Sequence, residues 1–405
     1  ALQVLPGVSA MSDFSSGLYV RGGSPDQNLI LLDETDVYNP SHFGGIFSTF
    51  NTDAIENVEL MKGGFPAKYG GRLSSVLDVT NLDGNRKYHQ GVARLSLVSA
   101  SSTLQGPWAK GSYMVSFRRT YIDLLAKLAN IDIPDYYFYD GHAKLTWDMS
   151  EKDKITTSCY FGQDNLSMDF GMKMSLDWGN ETITSQWVHI FNPQLFSRFV
   201  LSRSHFDFNF KLLAESDQEF MQGNDIIDYT IKNLFSYMPS DVHNIDFGYE
   251  LKYLDVNFFV ETTTDFDPNQ LPDIEVPSII SSVYIQDSWK LNDYWTIQPG
   301  IRLAYARATS DYLPDKPTAD YFRASPRFSI RRKLNNLSNI YFNYGRYYQF
   351  LTSMDAGDSP MGLWFPIDES VEPGSSDHYI LGYKTQVAED FALDIEGFYK
   401  TYDNL

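Results

Sequence analysis

Residues 244–253 read Asn-Ile-Asp-Phe-Gly-Tyr-Glu-Leu-Lys-Tyr, and this stretch decides the fold class. Its odd-numbered positions are apolar or aromatic, and its even-numbered positions are polar or glycine. A period of two places successive side chains on opposite faces of a β-strand. The stretch therefore predicts a strand with one apolar face and one polar face.

The same alternation recurs further along the chain, most clearly at 294–305, 339–346 and 391–399. Together with weaker repeats it predicts fifteen β-strands, with ends accurate to a few residues. The predicted strands lie near 88–96, 97–105, 110–119, 139–148, 154–163, 174–190, 195–211, 224–237, 242–259, 278–290, 294–306, 321–333, 337–347, 376–387 and 390–402.

Tight turns and longer connections alternate between these strands. The tight turns lie near 106–109, 150–153, 191–194, 238–241, 291–293, 334–336 and 388–390. The longer connections lie near 120–138, 164–173, 212–223, 260–277, 307–320 and 348–375. An antiparallel meander with short turns at one end and long loops at the other is typical of outer-membrane β-barrels.

A soluble β-sandwich would show the same alternation, so two further features favour the barrel. The polar faces carry charged residues well inside long strands, as a water-filled lumen permits. Aromatic residues gather near predicted strand ends, as an interfacial girdle requires. The girdle candidates are Tyr136, Tyr137, Tyr139, Tyr294, Trp295, Tyr347 and Tyr348.

Composition sets further bounds. No run of the 405-residue chain approaches the ~18–20 apolar residues of a membrane-spanning helix, whereas a barrel strand needs only about 9–11. The net charge of −20 argues against a nucleic-acid partner, which would select a basic surface. The lone Cys159 can form no internal disulfide and belongs to no metal or redox motif. We interpret the acidity as lumen walls and solvated loops, with attraction of cations as the alternative.

Residues 1–82 have a different character. They are rich in glycine and contain only short apolar runs, such as 29–33 and 76–79. This pattern predicts a compact mixed domain of short strands. Asp53-Ala54-Ile55-Glu56 predicts the start of a short helix, with Asp53 as its N-cap.

The order of these motifs resembles the plug domain of TonB-dependent outer-membrane receptors. The matching motifs are Leu2-Gln3 with Pro6-Gly7-Val8, Val20-Arg21-Gly22, Leu31-Leu32-Asp33, Ile55-Glu56-Asn57-Val58-Glu59 and Tyr69-Gly70. The later chain also resembles the family's barrel. Its matching motifs are Gln286-Asp287-Ser288-Trp289 with Pro299-Gly300-Ile301-Arg302, Ser325-Pro326-Arg327-Phe328 with Tyr344-Gly345, and Tyr379 with Gly382-Tyr383 and Tyr399-Lys400.

Three departures from the family pattern are visible. Glu34 stands where the family has the glycine of "LLDG", and Lys62-Gly63-Gly64 replaces "RGP". Ile380 stands where the family often has a glutamate, which places in doubt a plug contact to a barrel carboxylate at that position. Lys62 keeps a positive charge but lacks the forked guanidinium of arginine.

The resemblance implies a mainly β fold, a transmembrane antiparallel β-barrel with an N-terminal mixed α/β plug in its lumen. It implies a plug at 1–84 and, at 85–405, fifteen of about 22 barrel strands. A barrel of that size has a lumen too wide for side chains to fill. Since fifteen strands would leave two edges open to lipid, we expect further strands beyond Leu405. We also expect that sequence precedes Ala1.

The implied function is energised uptake of a scarce ligand across the outer membrane of a Gram-negative bacterium. The family's ligands are iron chelates, vitamins, oligosaccharides or peptides. The implied partners are outer-membrane lipid, TonB acting on a box before Ala1, and a surface lipoprotein or assembly partner. TonB would add a strand to that box. The alternatives are a non-transporting signalling receptor or structural subunit on the same fold, and a diffusion porin, against which the plug motifs count.

Charged residues of the plug are candidates for a reversible latch. Arg21 and Lys62 match family positions where plug cations face barrel carboxylates, although such charges also serve ordinary plug folding. Their candidate partners on predicted lumen faces are Asp246, Glu250, Asp394 and Glu396.

Aromatic residues near the loops are candidates for ligand contact. His42, Phe43 and Phe47 lie in the glycine-containing stretch 40–48, which predicts an exposed loop or, alternatively, a packed plug turn. Trp364 and Phe365 either stack on a ligand or pack within their own loop. The remaining candidates are Tyr136 and Tyr137.

The sequence predicts no enzyme, no metal site and no cofactor. It contains no nucleophile motif, phosphate loop or paired-histidine element. Acidic residues in the 348–375 loop could bind Ca²⁺, but their irregular spacing favours solvated charge. They are Asp355, Asp358, Asp368, Glu369 and Glu372.

Overall fold

The computed structural model describes most of the chain. The described residues are 6–9, 18–38, 40–42, 47–131, 133–214, 218–263, 273–310, 315, 317–354, 362–369 and 371–405. Two bodies of β-structure make up this part of the molecule. Small sheets occupy the N-terminal residues, and one large sheet occupies the rest.

The N-terminal body contains eight short strands and a 3₁₀ turn at Pro25–Gln27. The strands are β1 (Val8–Ser9), β2 (Tyr19–Val20), β3 (Asn28–Leu32), β4 (Thr35–Asp36), β5 (Ser41–His42), β6 (Phe47–Ser48), β7 (Ile55–Met61) and β8 (Ser75–Asn81). The central sheet has the order β4-β3-β8-β7, in which β3 and β8 are parallel. β1 pairs with β2, and β5 pairs with β6.

The predicted helix start at Asp53 is wrong, because Ile55 begins strand β7. The cross-strand pairs Val58↔Val79 and Leu60↔Leu77 join β7 to the buried strand β8. Such apolar pairs favour the extended conformation over the helix that the cap residue suggests. Asp53 instead accepts a hydrogen bond from Arg94 Nη2 at 2.8 Å.

The large sheet is an antiparallel meander. Its strands are β9 (Gln90–Leu95), β10 (Ser99–Trp108), β11 (Gly111–Thr120), β12 (Asp135–Asp148), β13 (Asp153–Asp169), β14 (Lys173–Asn192), β15 (Leu195–Leu213), β16 (Glu219–Ser240), β17 (His243–Thr262), β18 (Ile274–Glu275), β19 (Ser278–Lys290), β20 (Trp295–Thr309), β21 (Thr318–Lys333), β22 (Ser338–Gln349), β25 (Gly374–Ala388) and β26 (Phe391–Asp403). The sheet runs in chain order from β9 to β26. Short β18 pairs with β17 beside this path, and β23 (Leu351–Met354) pairs with β24 (Leu363–Pro366) apart from the sheet.

All fifteen predicted strands are present in the sheet path. Several run further than predicted at the end with the longer connections. The predicted long connection at 164–173 is wrong, because β13 continues to Asp169 and β14 begins at Lys173. The tight-turn ends agree better with the prediction, since turn residues such as Asn292 and Asn335 mark them.

A short helix, α1 (Ile122–Ala129), lies in the connection that was predicted as a loop at 120–138. Asn130 ends it with a left-handed backbone conformation at φ 52°. Among the described residues, this is the one α-helix, and no helix there has the length and apolar character to cross a membrane.

Alternation along the strands separates an outer face from a lumen face. In β17, Tyr249, Leu251 and Tyr253 are exposed on the outer face, whereas Lys252 between them is buried. The predicted alternation of 244–253 is therefore confirmed. Other exposed apolar side chains continue the outer band on neighbouring strands: Trp147, Ile183, Trp187, Leu201, Tyr229, Ile231, Val283 and Ile285.

The predicted aromatic girdle is only partly present. Tyr294 is exposed at a tight-turn end. Tyr136 and Tyr347 are buried on the lumen side instead, so their assignment to the girdle is wrong. Both residues occupy inward positions of the strand period, and position near a strand end does not fix the face.

The N-terminal body lies in the lumen of the barrel and forms its plug. Side chains of the barrel wall complete the plug's own apolar clusters. Tyr160 of β13 packs with Leu32, Leu77 and Val79, and Tyr347 of β22 packs with a second group of plug residues. Because these strands lie far apart in the sheet, the plug is contacted from widely separated parts of the wall.

Candidate functional site

The turn between β3 and β4 carries unusual backbone strain. Asp33 and Glu34 form a two-residue hairpin connection, and their φ angles are 48° and 73°. Two consecutive positive φ angles are typical of a type I′ turn, which favours Asn-Gly or Gly-Gly. A non-glycine residue in this region costs about 1–2 kcal/mol. Glu34, at the position where the family pattern has glycine, therefore needs compensating contacts.

Cations of the barrel wall supply those contacts to Glu34. Its carboxylate lies 2.9 Å from Arg198 Nη1 and 3.3 Å from Lys232 Nζ. Lys232 Nζ also donates to the backbone oxygen of Glu34 at 2.6 Å. Burial raises the pKa of the Glu34 carboxyl, but Lys232, Lys68 and Arg198 outweigh burial and lower that pKa to about 2. Glu34 is therefore a buried carboxylate held in its charged form.

Asp33 is fixed in the same region. Its carboxylate lies 3.2 Å from Lys144 Nζ and accepts two hydrogen bonds from Asn81, one from the backbone at 3.1 Å and one from the side chain at 2.7 Å. Gln186 Nε2 donates to its backbone oxygen at 2.9 Å. The strained turn is thus tied to the barrel wall at both of its residues.

A third plug carboxylate, Asp36, meets Lys252 at 2.7 Å. Lys252 also lies 2.9 Å from Asp228, and Tyr38 donates its hydroxyl to Asp228 at 2.7 Å. Burial raises the pKa of Asp36, but the positive charges of Lys252, Arg72 and Lys232 outweigh it and lower the pKa overall. We call these contacts of Asp33, Glu34 and Asp36 with the wall the charged interface.

The predicted latch residue Arg21 lies beside Glu396, one of its predicted partners. The two side chains form an ion pair, and the Arg21 guanidinium lies 4.9 Å from the centre of the Phe398 ring. Lys62 instead donates to the backbone oxygen of Pro6 at 3.0 Å. Within the described residues, Lys62 forms no ion pair with a barrel carboxylate.

The other three predicted partners bond mainly within the barrel. Asp246 accepts from Ser236 at 2.6 Å. Glu250 accepts from Arg302 at 2.7 Å, and Arg302 in turn donates to the backbone oxygen of Lys68 in the plug at 3.2 Å.

Asp394 accepts from the Tyr341 hydroxyl at 3.3 Å and lies 3.9 Å from Lys384. Apart from the pair of Arg21 and Glu396, the prevailing polarity is therefore opposite to the prediction, since plug carboxylates face barrel cations.

His42 is buried, which fits the packed plug turn rather than the exposed loop among the two alternatives for this stretch. Its imidazole hydrogen-bonds to Asp164 and stacks on Phe138 with ring centres 4.0 Å apart. Tyr136, another predicted ligand contact, donates to the same Asp164 carboxylate. The structure therefore brings His42 and Tyr136 together inside the wall. Phe43 lies outside the described residues, as does the side chain of Phe47.

Tyr137 points to the opposite face of β12, where the Arg119 guanidinium lies 4.9 Å from its ring centre. Asp368 is buried and accepts a hydrogen bond from the backbone of Val371 at 2.9 Å. Asp355 and Asp358 lie outside the described residues. In the part of the chain that the structure describes, no group of acidic, histidine or cysteine side chains has the arrangement of a metal site.

The lumen above the charged interface is lined largely by apolar side chains, where "above" denotes the side of the longer connections. Six inward side chains line it: Trp178, Phe206, Phe208, Ile226, Leu254 and Val256. Trp364 of β24 belongs to the same buried apolar cluster, and its ring centre lies 5.6 Å from that of Tyr38. We call this space, with Tyr38 and Arg72 as its floor, the upper chamber. Phe365, next to Trp364, is half-buried, and its ring centre lies 6.1 Å from that of Phe258.

The arrangement of a β-plug within a β-barrel matches what sequence comparison finds. The family model described as "TonB dependent receptor-like, beta-barrel" matches residues 93–405, and the model described as "TonB-dependent Receptor Plug Domain" matches residues 1–75. The chain belongs to the TonB-dependent receptor family.

Solved structures of other receptors share this fold. The ferric yersiniabactin uptake receptor FyuA from Yersinia pestis has a TM-score of 0.73 at 12% identity and covers 100% of this chain and 69% of its own. The ferric preacinetobactin receptor BauA from Acinetobacter baumannii has a TM-score of 0.70 at 14% identity, and the match covers 97% of this chain and 66% of BauA.

The copper transporter OprC has a TM-score of 0.73 at 10% identity, and the match covers 100% of this chain and 68% of OprC. Identities this low show the fold alone. The chain spans about two thirds of the length of these structures. A search of curated protein sequences finds no match.

Several residues that build the receptor's site were not singled out from the sequence. Lys252 lies at an even position of 244–253, so its place on the lumen face was available from the alternation. Arg72 lies two residues after the quoted plug motif Tyr69-Gly70, but nothing local indicates that it lies beneath Trp364. Lys232 and Asn224 carry no sequence signal beyond their strand period.

Proposed function

We propose that this receptor takes up a scarce ligand across the outer membrane of a Gram-negative bacterium, with TonB driving rearrangement of the plug. The observation that supports this proposal is the charged interface, which fixes the plug by polar contacts. The ligand belongs to one of four classes: iron chelates, vitamins, oligosaccharides or peptides. We further propose a plug at 1–84, a barrel from 85 onward, and contact of the outer apolar band with lipid.

A polar interface suits a plug that has to move. Net hydrogen-bond contributions are only about 0.5–1.5 kcal/mol each, because water replaces the lost partner. A cavity of about 30 Å³ lies at the charged interface, lined in part by Glu34, Asp36, Lys232 and Lys252. A polar cavity of this size can hold water. Water there can take over the contacts of the plug carboxylates as they separate from the wall.

Arg21 adds a contact close to the N-terminal strands. Its pair with Glu396 is partly buried, and it lies one residue after β2. We propose that this pair acts as a reversible latch that opens when TonB pulls on the N-terminal side. A surface lipoprotein or another outer-membrane subunit is a further proposed partner at the longer loops.

A disulfide tether tests plug movement directly. Thr35 of the plug and Thr184 of the wall share a hydrogen bond, so the double variant Thr35→Cys/Thr184→Cys in a Cys159→Ser background should form a cross-link. We expect the oxidised variant to lose uptake of the ligand and the reduced variant to regain it. The matched control is Thr157→Cys/Ser185→Cys, which joins neighbouring barrel positions and should leave uptake unchanged.

The ligand itself is found by growing a deletion strain on limiting nutrients and by mass spectrometry of compounds that copurify with the protein. Impaired growth on one scarce nutrient supports uptake. Normal growth on every candidate nutrient would overturn the importer proposal and favour the signalling or structural role on the same fold.

A further inference from the structure

The apolar wall of the upper chamber contrasts with the polar lumen below it. Phe206 and Phe208 of β15 face inward above Ser202 and Ser204, which face inward on the same strand. An apolar lumen wall gains stability only when an apolar group covers it, since exposed apolar surface is unfavourable. The receptor's own Trp364, which is 5% exposed, belongs to the cluster that covers this wall, together with Tyr38, Phe350, Leu351 and Ile367.

The barrel wall contacts the backbone of Trp364 through hydrogen bonds with Asn224, in addition to contacting its ring. Its amide N–H donates to Asn224 Oδ1 at 2.8 Å, and Asn224 Nδ2 is 3.4 Å from the Trp364 carbonyl oxygen. A side-chain amide that accepts from the N–H and donates to the C=O of one residue matches the backbone groups on either side of that residue's Cα. Asn224 is itself buried, at 1% exposed, and its Nδ2 also donates to the backbone oxygen of Asn257 at 3.1 Å. An occupant that lacks an N–H donor would therefore leave Asn224 Oδ1 unsatisfied.

Arg72 lies at the floor of the upper chamber, and one of its N–H donors has no hydrogen-bond acceptor among the described residues. Its guanidinium lies 5.2 Å from the Trp364 ring centre and 5.9 Å from that of Tyr38. It donates to the backbone oxygens of Gly71 at 3.0 Å and Leu351 at 3.5 Å. Its buried Nε has no hydrogen-bond partner among the described residues, and neither has the indole Nε1 of Trp364.

These two unpaired donors show that Trp364 fills the chamber without satisfying all of its polar groups. A buried guanidinium is strongly stabilised by a carboxylate or another anionic acceptor. Among the described residues, Arg72 forms no ion pair, and the carboxylate of nearby Asp36 bonds Lys252 instead. The chamber therefore suits an occupant with an acceptor that the Trp364 side chain lacks.

We propose that the upper chamber is a binding subsite for an amide-bearing ligand with a planar aromatic group and an acceptor for Arg72, and that Trp364 occupies it in the absence of ligand. This inference rests on the proposed uptake function and selects peptide-like compounds among the four ligand classes. A bare sugar ring would place its hydroxyl groups against Leu254, Val256 and Ile226, which offer no side-chain hydrogen bond. Trp364 thus competes with the ligand within the same molecule.

The test measures binding of N-acetyl-tryptophanamide to the full purified chain in detergent by isothermal titration calorimetry. We expect Trp364→Ala to bind this probe about tenfold or more tightly than the wild type, because its own competitor is removed. The matched control is Trp187→Ala, which removes an exposed tryptophan of the outer face and should bind like the wild type. Circular dichroism confirms that each variant keeps its β-structure.

A tryptophan deletion also creates a cavity that any indole could fill, so specificity is decided by a second variant. Indole alone serves as the comparison probe. In Trp364→Ala/Asn224→Leu, we expect the affinity for N-acetyl-tryptophanamide to fall about tenfold relative to Trp364→Ala, while indole still binds. The reason is that the Asn224 side chain, which the variant lacks, would hydrogen-bond the amide N–H and C=O of N-acetyl-tryptophanamide, whereas indole has no amide group. The proposal would be overturned if Asn224→Leu changed the affinity for N-acetyl-tryptophanamide no more than the affinity for indole. It would also be overturned if Trp364→Ala bound N-acetyl-tryptophanamide with the same affinity as the wild type.

The binding test separates this inference from the uptake proposal. It uses purified protein and needs neither TonB nor a membrane potential. Probe binding together with normal growth of the deletion strain would keep the subsite and remove the importer role. Impaired nutrient uptake with no probe binding would keep the importer role and remove the subsite.

Discussion

The plug meets the barrel in two chemically different zones. In the charged interface, the carboxylates of Asp33, Glu34 and Asp36 pair with wall cations, whereas in the upper chamber aromatic and aliphatic side chains enclose Trp364. Polar pairs depend on geometry and can be exchanged for water, while apolar packing depends on shape and excludes water. We infer that the two zones have different roles: the charged interface holds the plug in place, and the upper chamber selects an occupant by its shape.

The two zones share a network. Lys252 contacts Asp36 at 2.7 Å and Asp228 at 2.9 Å, and Asp228 accepts the Tyr38 hydroxyl at 2.7 Å. Tyr38 is also the floor of the upper chamber, two residues after Asp36. We therefore expect a change of occupant above Tyr38 to affect the charged interface through Asp228 and Lys252. Variants that alter one zone show how far the other depends on it.

The largest effect is expected from Lys232→Met. This change leaves the buried Glu34 carboxylate with Arg198 as its remaining close cation. Removing one partner of a buried ion pair costs about 3–5 kcal/mol. Calorimetric unfolding of the plug in detergent should show a loss of this size. The exposed pair of Lys384 and Asp394 is the control, since Lys384→Met should leave the plug transition unchanged.

Acid should weaken the charged interface by a somewhat smaller amount. The pKa of Glu34 is lowered from 4.5 to about 2, so its contribution is complete above about pH 4.5 and is lost as the pH falls through 2. The shift corresponds to about 3 kcal/mol. The plug transition temperature should therefore drop steeply between pH 4.5 and 2. The same titration of Glu34→Gln should be flatter, and equal slopes would show that Glu34 does not contribute.

Glycine at position 34 should rescue part of the first variant. In Glu34→Gly/Lys232→Met, the positive φ of 73° is relieved and the uncompensated carboxylate is gone. The backbone term is about 1–2 kcal/mol. We expect the double variant to be more stable than Lys232→Met alone, measured by the same calorimetry. A double variant that is less stable than Lys232→Met would contradict strain at this turn.

The smallest effect is expected from Arg86→Met. Arg86 pairs with Asp148 near a tight turn, and both side chains are more than one third exposed. Exposed ion pairs contribute about 0–1 kcal/mol. The plug transition should therefore stay within the error of the measurement. A large loss would show that ion pairs outside the charged interface also hold the plug.

Much of the barrel could be predicted from sequence because strand alternation is a local property. The period of two in 244–253 fixes the face of Lys252 and Tyr253 without knowledge of any partner strand. Local signals failed where tertiary contacts decide. Ile55 joins β7 through its pairing with β8 although a cap residue precedes it, and α1 forms inside a predicted loop.

The contacts of the site could be predicted less well. Arg21 and Glu396 are 375 residues apart, and only the family resemblance suggested that such a pair exists. The charged interface reverses the expected polarity because three plug carboxylates, those of Asp33, Glu34 and Asp36, face cations of the wall. Of these three, only Glu34 stands out in the sequence as a departure from the family pattern. Neither strand period nor composition reveals which wall residues face these carboxylates.

The strand pairing of the plug also sets the order in which it would yield to force. β1 and β2 share two antiparallel residue pairs, and a pull from the N-terminal side would separate these pairs one after the other. Parallel β3 and β8 share five pairs, which the same pull loads together in shear. Arg21 lies between these two elements along the chain. We therefore expect mechanical load to open the pairing of β1 with β2 first, to reach the Arg21 ion pair next, and to strain the central sheet last.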